Sequence, residues 1–552
     1  MKILEKYFSY FTGAMSTLEE IEIKNIDHLG IVAGIIDSIG LVEIVNSLVG
    51  EDISEKISSG HVVKAMILNG LGFASAPLYM FSKFFENRAC EHLIGEGVKP
   101  EYLNDDKLGR TMDKLFNQGL SNVFLAISLN AVKIFDISLL FEHLDSSSFH
   151  LHGEYNKKDL GVNKSEIEST EPEEIKITYG YSRDHRPDLK QFIIDLICSG
   201  DGDIPIFFKT ASGNEVDSAS FGKILVDFKK QIEVDSLMVA DSALYTATNL
   251  KLLSDIKWLS RVPLSLAEAK RLVSSINDSE LVKSQTNGYS YVVKECNYAD
   301  IQQRWLIVQS EARKKSDLRQ LEKRIQKSEI SAISQLKKLQ REQFNCCEDA
   351  MKAASKLSNK FKYHNLDNIH IHEKTLSSKT ENQKIFYQIE ASLSKNEAAI
   401  SNSIQSAGRF VLATNILDEN ILSNSEMISE YKAQQSCERG FGFLKDPLFF
   451  ADSVFLKTPK RIEALGMIMA LCLLVYTLAQ RQIRAALSSS KSTVKNQLGK
   501  PTERPTLRWI FQCFQSIHLV FLNNDKQISN LTEDRKYILN FLPIECYQYY
   551  QY

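Results

Sequence analysis

Tyr431, Gln434, Glu438 and Lys445 lie within fifteen residues, 431–445 (YKAQQSCERGFGFLK). At ~100° per residue of helix they project within about 60° of one another, while Ala433, Cys437, Phe441 and Leu444 form a neighbouring apolar face. Such a helix packs by one side and offers a carboxylate from the next. Two further acids end apolar, strand-like runs: residues 137–144 lead into Asp145 and residues 237–240 lead into Asp241. An acid where a buried strand ends is held rigidly and still reaches solvent. Singly, each Asp reads equally as a helix cap or a turn residue, and the stripe as a solvated face. Together, three carboxylates on separated elements make the oxygen-donor set that hard divalent cations take.

The elements that must position these acids follow from pattern. Ser423, Asn424, Ser425 and Glu426 read as a capping box that starts the Glu438 helix. Gly440 and Gly442 cost about 1 kcal/mol each in a helix interior, so this helix is expected to end before Lys445. Residues 1–135 read as a helical N-terminal region: 31–49 are apolar at short spacing, Ser58 or Ser59 caps a helix through Val62, Val63, Met66 and Ile67, and 110–134 form another helix. From about 136 the pattern turns to strands at 189–198, 204–210, 237–241 and 257–262, with a helix at 218–232 and a polar insert at 156–174. Between Asp241 and Glu438 lie 196 residues, far more than a loop needs. They hold strand-like pieces at 289–294, 304–309, 384–393 and 409–414 around a helix at 311–342 with ten Lys or Arg against five acids. That helix is either a solvated charged face or a nucleic-acid backbone contact. The expected divisions are therefore 1–135, 136–263, 264–415 (an insertion domain), 416–490 and 491–552.

Composition is that of a globular chain, 43% apolar and 24% charged over 552 residues. Nine Cys form no CxxC pair, which excludes a zinc-ribbon framework and speaks against a secreted disulfide scaffold. The net charge of −3 means that any polyanion must be met by local basic patches. Residues 464–479 (ALGMIMALCLLVYTLA) are sixteen uncharged residues against the ~20 that span a bilayer, and they are expected to form a buried helix behind a sheet. No secretory leader is expected, since residues 1–6 are followed by a short aromatic mix without a long apolar core.

The stripe carries a resemblance. Tyr, two residues, Arg, three residues, Glu, six residues, Lys is the signature of a superfamily of DDE transposases of bacterial insertion sequences. Tyr431, Gln434, Glu438 and Lys445 reproduce that spacing, with Gln434 where the Arg stands. Residues 27–32 (DHLGIV), 180–191 (GYSRDHRPDLKQ) and 501–509 (PTERPTLRW) are similar to one subgroup, the insertion-sequence 1634-like group. The resemblance spans nearly the whole chain. It implies a mixed α/β fold, a ribonuclease H-like catalytic core interrupted by a strand-containing insertion. Three strands, a helix, a strand, a helix and a strand is the order of that core, with Asp145 on its first strand and Asp241 on its fourth, side by side.

In function the resemblance implies a DNA transposase that nicks at the element ends, forms a hairpin in some relatives, and joins the end to target DNA. Such chemistry uses two Mg²⁺ ions ~3.5–4 Å apart, for which Mn²⁺ substitutes. Asp145 would bridge them, Asp241 and Glu438 would each hold one, and Tyr431, Gln434 and Lys445 would contact DNA. The implied partners are terminal inverted repeats, target DNA and a second copy of the chain, with no membrane. The implied place is the bacterial cytoplasm, at the nucleoid. The alternatives are another metal nuclease on the same fold, or a catalytically inactive, domesticated DNA-binding protein, toward which Gln434 leans. Weaker candidates are the pairs His150/His152 and His370/His372 as zinc ligands, Arg183, His185 and Arg186 along a DNA path or in turn-stabilising salt bridges, and Trp258 and Trp305 stacking on a flipped base or filling the core.

Overall fold

The computed structural model describes residues 21–52, 54–73, 76–153, 155, 172–232, 234–376, 384–446, 456–522 and 525–552. Most of the polar insert expected at 156–174 lies outside them. The chain divides into two compact units, residues 1–257 with 432–552, and residues 258–431. Both mix helices and strands.

In the first unit, strand β1 (Phe141–Leu151) is the centre of a mixed sheet. β2 (Lys190–Ser199) pairs antiparallel along its whole length, from Glu142 opposite Ser199 to Leu151 opposite Lys190. β3 (Pro205–Ser212) pairs antiparallel with β2. Helix α1 (Asp217–Gln231) then leads to β4 (Leu237–Ala240), which pairs parallel with the other side of β1. The Ile-rich β2 is buried along nearly its full length and the Phe-containing β3 along its first half, as strands covered on both faces are.

One face is covered by α3 (Pro459–Ser489), which contains the apolar run expected to lie behind a sheet. It packs on β3 and on the helices Leu29–Ser38, Ser59–Leu71 and Asp105–Gln118. Its Glu463 is buried and accepts from Ile175 N (3.0 Å) and Thr210 Oγ1 (2.6 Å), which satisfies a carboxylate that burial pushes toward its neutral form. Ser58 caps the Ser59–Leu71 helix by accepting from His61 N. The helix expected over 110–134 is instead two, Asp105–Gln118 and Leu120–Ile134, broken where Gly119 takes a φ of 88° that helical residues do not adopt.

The second unit holds the strands Trp258–Val262, Arg409–Thr414, Ile301–Ser310 and Tyr289–Tyr298, side by side in that order, with antiparallel pairing at each of the three junctions. The charged helix runs over Glu311–Arg341 and buries Leu321, Ala332, Leu336 and Leu339 along one stripe. Leu336 and Leu339 join a core with the hairpin His364–Leu376/Lys384–Lys395 through Leu366 and Ile389. Trp258 and Trp305 are both fully buried, the latter donating from Nε1 to Gln303. Both are core residues here, not stacking platforms.

Candidate active site

β1 and β4 run parallel with Leu144 opposite Ala240, so Asp145 on β1 and Asp241 just past the end of β4 each follow that pair. β4 stops at Ala240, and Asp241 turns the chain: its Oδ1 accepts from Ala243 N at 2.8 Å and its carbonyl from Leu244 N at 3.3 Å. β1 does not stop. Asp145 was expected where a strand ends, and it lies mid-strand, because β2 carries the ladder on through Ser146–Ser148 to Leu151. Its parallel neighbour has already ended, and the Asp145 side chain stays largely buried.

Glu438 is exposed in the first turn of α2 (Gln435–Leu444). The single helix expected through 431–445 is two, Asn424–Ala433 and α2, with Gln434 between them. The capping box at the start is present: Ser423 N donates to Glu426 and Glu426 N to Ser423 Oγ. α2 continues through both glycines to Leu444, since packing outweighs propensity. At Gly440 a Cβ would come 3.1 Å from Leu473 of α3, so the glycine sets how close the two helices lie. Cys437, Phe441 and Leu444 are buried, as the apolar face requires.

Two contacts tie α2 to β1. Gln434 Nε2 donates to the carbonyl of Leu144 (3.4 Å), and Cys437 Sγ to that of His143 (3.3 Å). Gln434, expected on the polar stripe facing DNA, is buried instead, with its amide directed at β1. Lys445 caps the end of α2; its Nζ is 2.6 Å from Asp184 and 5.4 Å from the centre of the Phe149 ring. Tyr431 belongs to the second unit, its ring 6.1 Å from that of Phe410.

The electrostatics of Asp145 are first those of a buried carboxylate. Burial, first, pushes its pKa up to about 7; the Ser146 N–H (2.9 Å) and Arg183 pull the other way, and the charges of Asp241 and Glu438 raise it further. Arg183 Nη1 stands 3.9 Å from Asp145 Oδ1, while its Nη2 donates to Ser146 Oγ (2.6 Å) and to Asp217 in the first turn of α1. A bound divalent cation would offset the cost of ionising the buried Asp145, and all three side chains are hard oxygen donors. Among the described residues, no three His, Cys, Asp or Glu side chains are arranged to hold one ion between them.

Three of the remaining candidates are engaged with protein partners. Arg186 is paired with Asp188 (2.9 and 2.8 Å), His150 with Ser182 (2.9 Å), and His372 with Glu390 (2.7 Å). Sequence reading missed Asp217 and Ser146 as neighbours of the site. Ser146 is adjacent to Asp145 in sequence, but nothing local marks the link to Asp217, because Arg183 reaches Asp217 and Ser146 from 34 and 37 residues away.

Residues 21–129 match the model of a family described as a domain of unknown function, DUF4277. No curated protein matches the chain. Among solved structures it is similar to the piggyBac transposase synaptic complex with hairpin DNA, at 10% identity over 95% of this chain and 88% of that one, with a TM-score of 0.35. A likeness that loose carries no argument about this chain.

Proposed function

We propose that this chain is a DDE-type DNA transposase whose ribonuclease H-like core, formed by β1 to β4 and α2, cuts and joins DNA with Asp145, Asp241 and Glu438. The observation that carries the reading is the register of β1 and β4. It sets the two aspartates level with each other, Asp145 on β1 and Asp241 just past the end of β4, while the helix bearing the glutamate hangs from β1. Support from sequence lies in the spacing of Tyr431, Glu438 and Lys445.

When bound, two Mg²⁺ ions would supply activation of the attacking oxygen and stabilisation of the leaving 3′ oxygen. Magnesium at phosphates takes one or two carboxylates from the protein and the rest from substrate and water. The pairs Asp145–Asp241 and Asp145–Glu438 are then sufficient donors, with Asp145 shared. Arg183 holds Asp145 against α1 and balances its charge. Lys445 contributes a cation beside Asp184, and the exposed basic face of Glu311–Arg341 offers phosphate contacts in the second unit. A homodimer on terminal inverted repeats, working at the nucleoid, completes the reading. The departure at Gln434 does not favour the inactive alternative, because a side chain buried against β1 is not a phosphate contact in either form.

The test is strand cleavage. Purified protein is incubated with a duplex carrying the DNA that flanks its gene, in Mg²⁺, in Mn²⁺ and in EDTA. Metal-dependent scission at an inverted-repeat end, leaving a 3′ hydroxyl, is expected; DNA left whole in both metals contradicts the reading.

A further inference from the structure

A cleft of about 970 Å³ in the first unit is bounded by α2, α3, the turn between β2 and β3, and residues 503–506. Four arginines line it: Arg439, Arg481, Arg484 and Arg504. Two are neutralised. Arg439 pairs with Asp203 at 2.9 Å, and Arg481 is held by both oxygens of Asp201 at 2.9 and 2.6 Å. Between those acids Gly202 takes a φ of 87°, and a Cβ there would meet the Arg481 side chain at 2.9 Å, so the turn is shaped around this ion pair.

Among the described residues, the other two arginines make no ion pair. Arg484 donates from Nε to Pro505 O (2.9 Å); it is half-buried, and its guanidinium is disfavoured first by lost hydration and then by Arg504, with Arg439 adding to the repulsion and Asp203 opposing it. Arg504 is exposed, and among the described residues neither it nor the neighbouring Glu503 makes an ion pair. Asp201, Asp203 and Glu503 also line the cleft, the first two being committed to Arg481 and Arg439; Arg484 and Arg504 are the cations left for an anion, and guanidinium forks suit phosphate oxygens. The cleft is far larger than one ion. Arg439, on its wall, is on the same helix as Glu438.

We propose that this cleft binds the phosphodiester backbone of the DNA strand, with Arg484 and Arg504 as its phosphate contacts. The proposal rests on the transposase reading and adds a second site of contact to it. Arg439 and Arg481 hold the wall in shape; Arg484 and Arg504 meet the strand.

The experiment is a salt titration of the full chain binding a duplex without repeat sequence. Arg504→Gln, Arg484→Gln and the double variant should lower the slope of log K against log salt by about 0.9 per arginine, or ~1.8 for the pair, while Arg484→Lys keeps the wild-type slope. Arg504→Gln, at an exposed position, carries the test if Arg484→Gln does not fold. Wild-type slopes in the folded variants overturn the proposal and leave the transposase reading standing. A wild-type chain that binds no duplex overturns the transposase reading and the proposal with it. ATP is the control for a small phosphate ligand: thermal stabilisation by ATP that Arg504→Gln abolishes, with an unchanged DNA slope, makes the cleft a nucleotide site and overturns the proposal.

Discussion

Gln434 donates to the carbonyl of Leu144, the peptide just before Asp145, and so fixes the helix of one catalytic candidate to the strand of another. The resemblance would put an arginine at 434 and have it grip a phosphate. The buried position predicts the reverse for Gln434→Arg: a charge placed against β1 without a carboxylate partner should cost about 2 kcal/mol or more and slow cleavage. Gln434→Ala should cost about 1–2 kcal/mol, through the lost bond and the carbonyl left unpaired. Urea midpoints with parallel cleavage rates check both. A Gln434→Arg protein as stable as its parent, with tighter end binding, would return Gln434 to the DNA.

A second relationship holds the two ends of the first unit together. A Cβ on Gly34 would lie 2.4 Å from the backbone of Cys546, so helix Leu29–Ser38 touches Ile544–Gln548 backbone to side-chain position. Alanine favours an exposed helix by about 1 kcal/mol over glycine, yet Gly34→Ala should destabilise by ~1–3 kcal/mol through overpacking. A stabilised Gly34→Ala in thermal unfolding would disprove the close approach.

His28 predicts a pH dependence. It sits between Phe73 and Phe511, with Nε2 2.9 Å from Leu71 O and Nδ1 2.9 Å from Gln515 Nε2. That pairing fits the neutral ring, which donates to the carbonyl and accepts from the amide. Burial, chiefly, pushes its pKa from 6.5 down to about 4. The unfolded chain therefore binds a proton below pH 6.5 that the folded chain refuses until about pH 4. The stabilising effect is whole above 6.5 and lost as pH falls through that window, on the order of 3 kcal/mol in all. In urea unfolding between pH 4 and 8, His28→Gln should flatten the acid limb relative to wild type. Parallel limbs would mean that His28 titrates normally.

The sequence reveals the site unevenly, for physical reasons. Asp241 is legible because an apolar run that stops at an acid is a strand ending in a turn, and β4 does stop there. Asp145 is legible as an acid on a strand but not as a mid-strand residue, because Ser146–Ser148 carry little strand preference and extend the strand only through pairing with β2. The apolar side of α2 follows from helical spacing. The burial of Gln434 does not, because that arithmetic assumes one unbroken helix and the chain divides at that residue. The Arg183 bridge between Asp145 and Asp217 depends on strands brought together from afar, and no local pattern encodes it. The break at Gly119 is a backbone choice that glycine allows without requiring.

The central claim is that three carboxylates run one reaction. Its most direct measurement is single-turnover cleavage of an end-containing duplex by Asp145→Asn, Asp241→Asn and Glu438→Gln, with binding of the same duplex recorded alongside. Each amide keeps the shape and removes the charge that holds a hard cation. The account predicts that each variant binds within a fewfold of wild type and cuts at least ~10³-fold more slowly. Wild-type cleavage by any one of the three would remove that residue from the metal site and contradict the account.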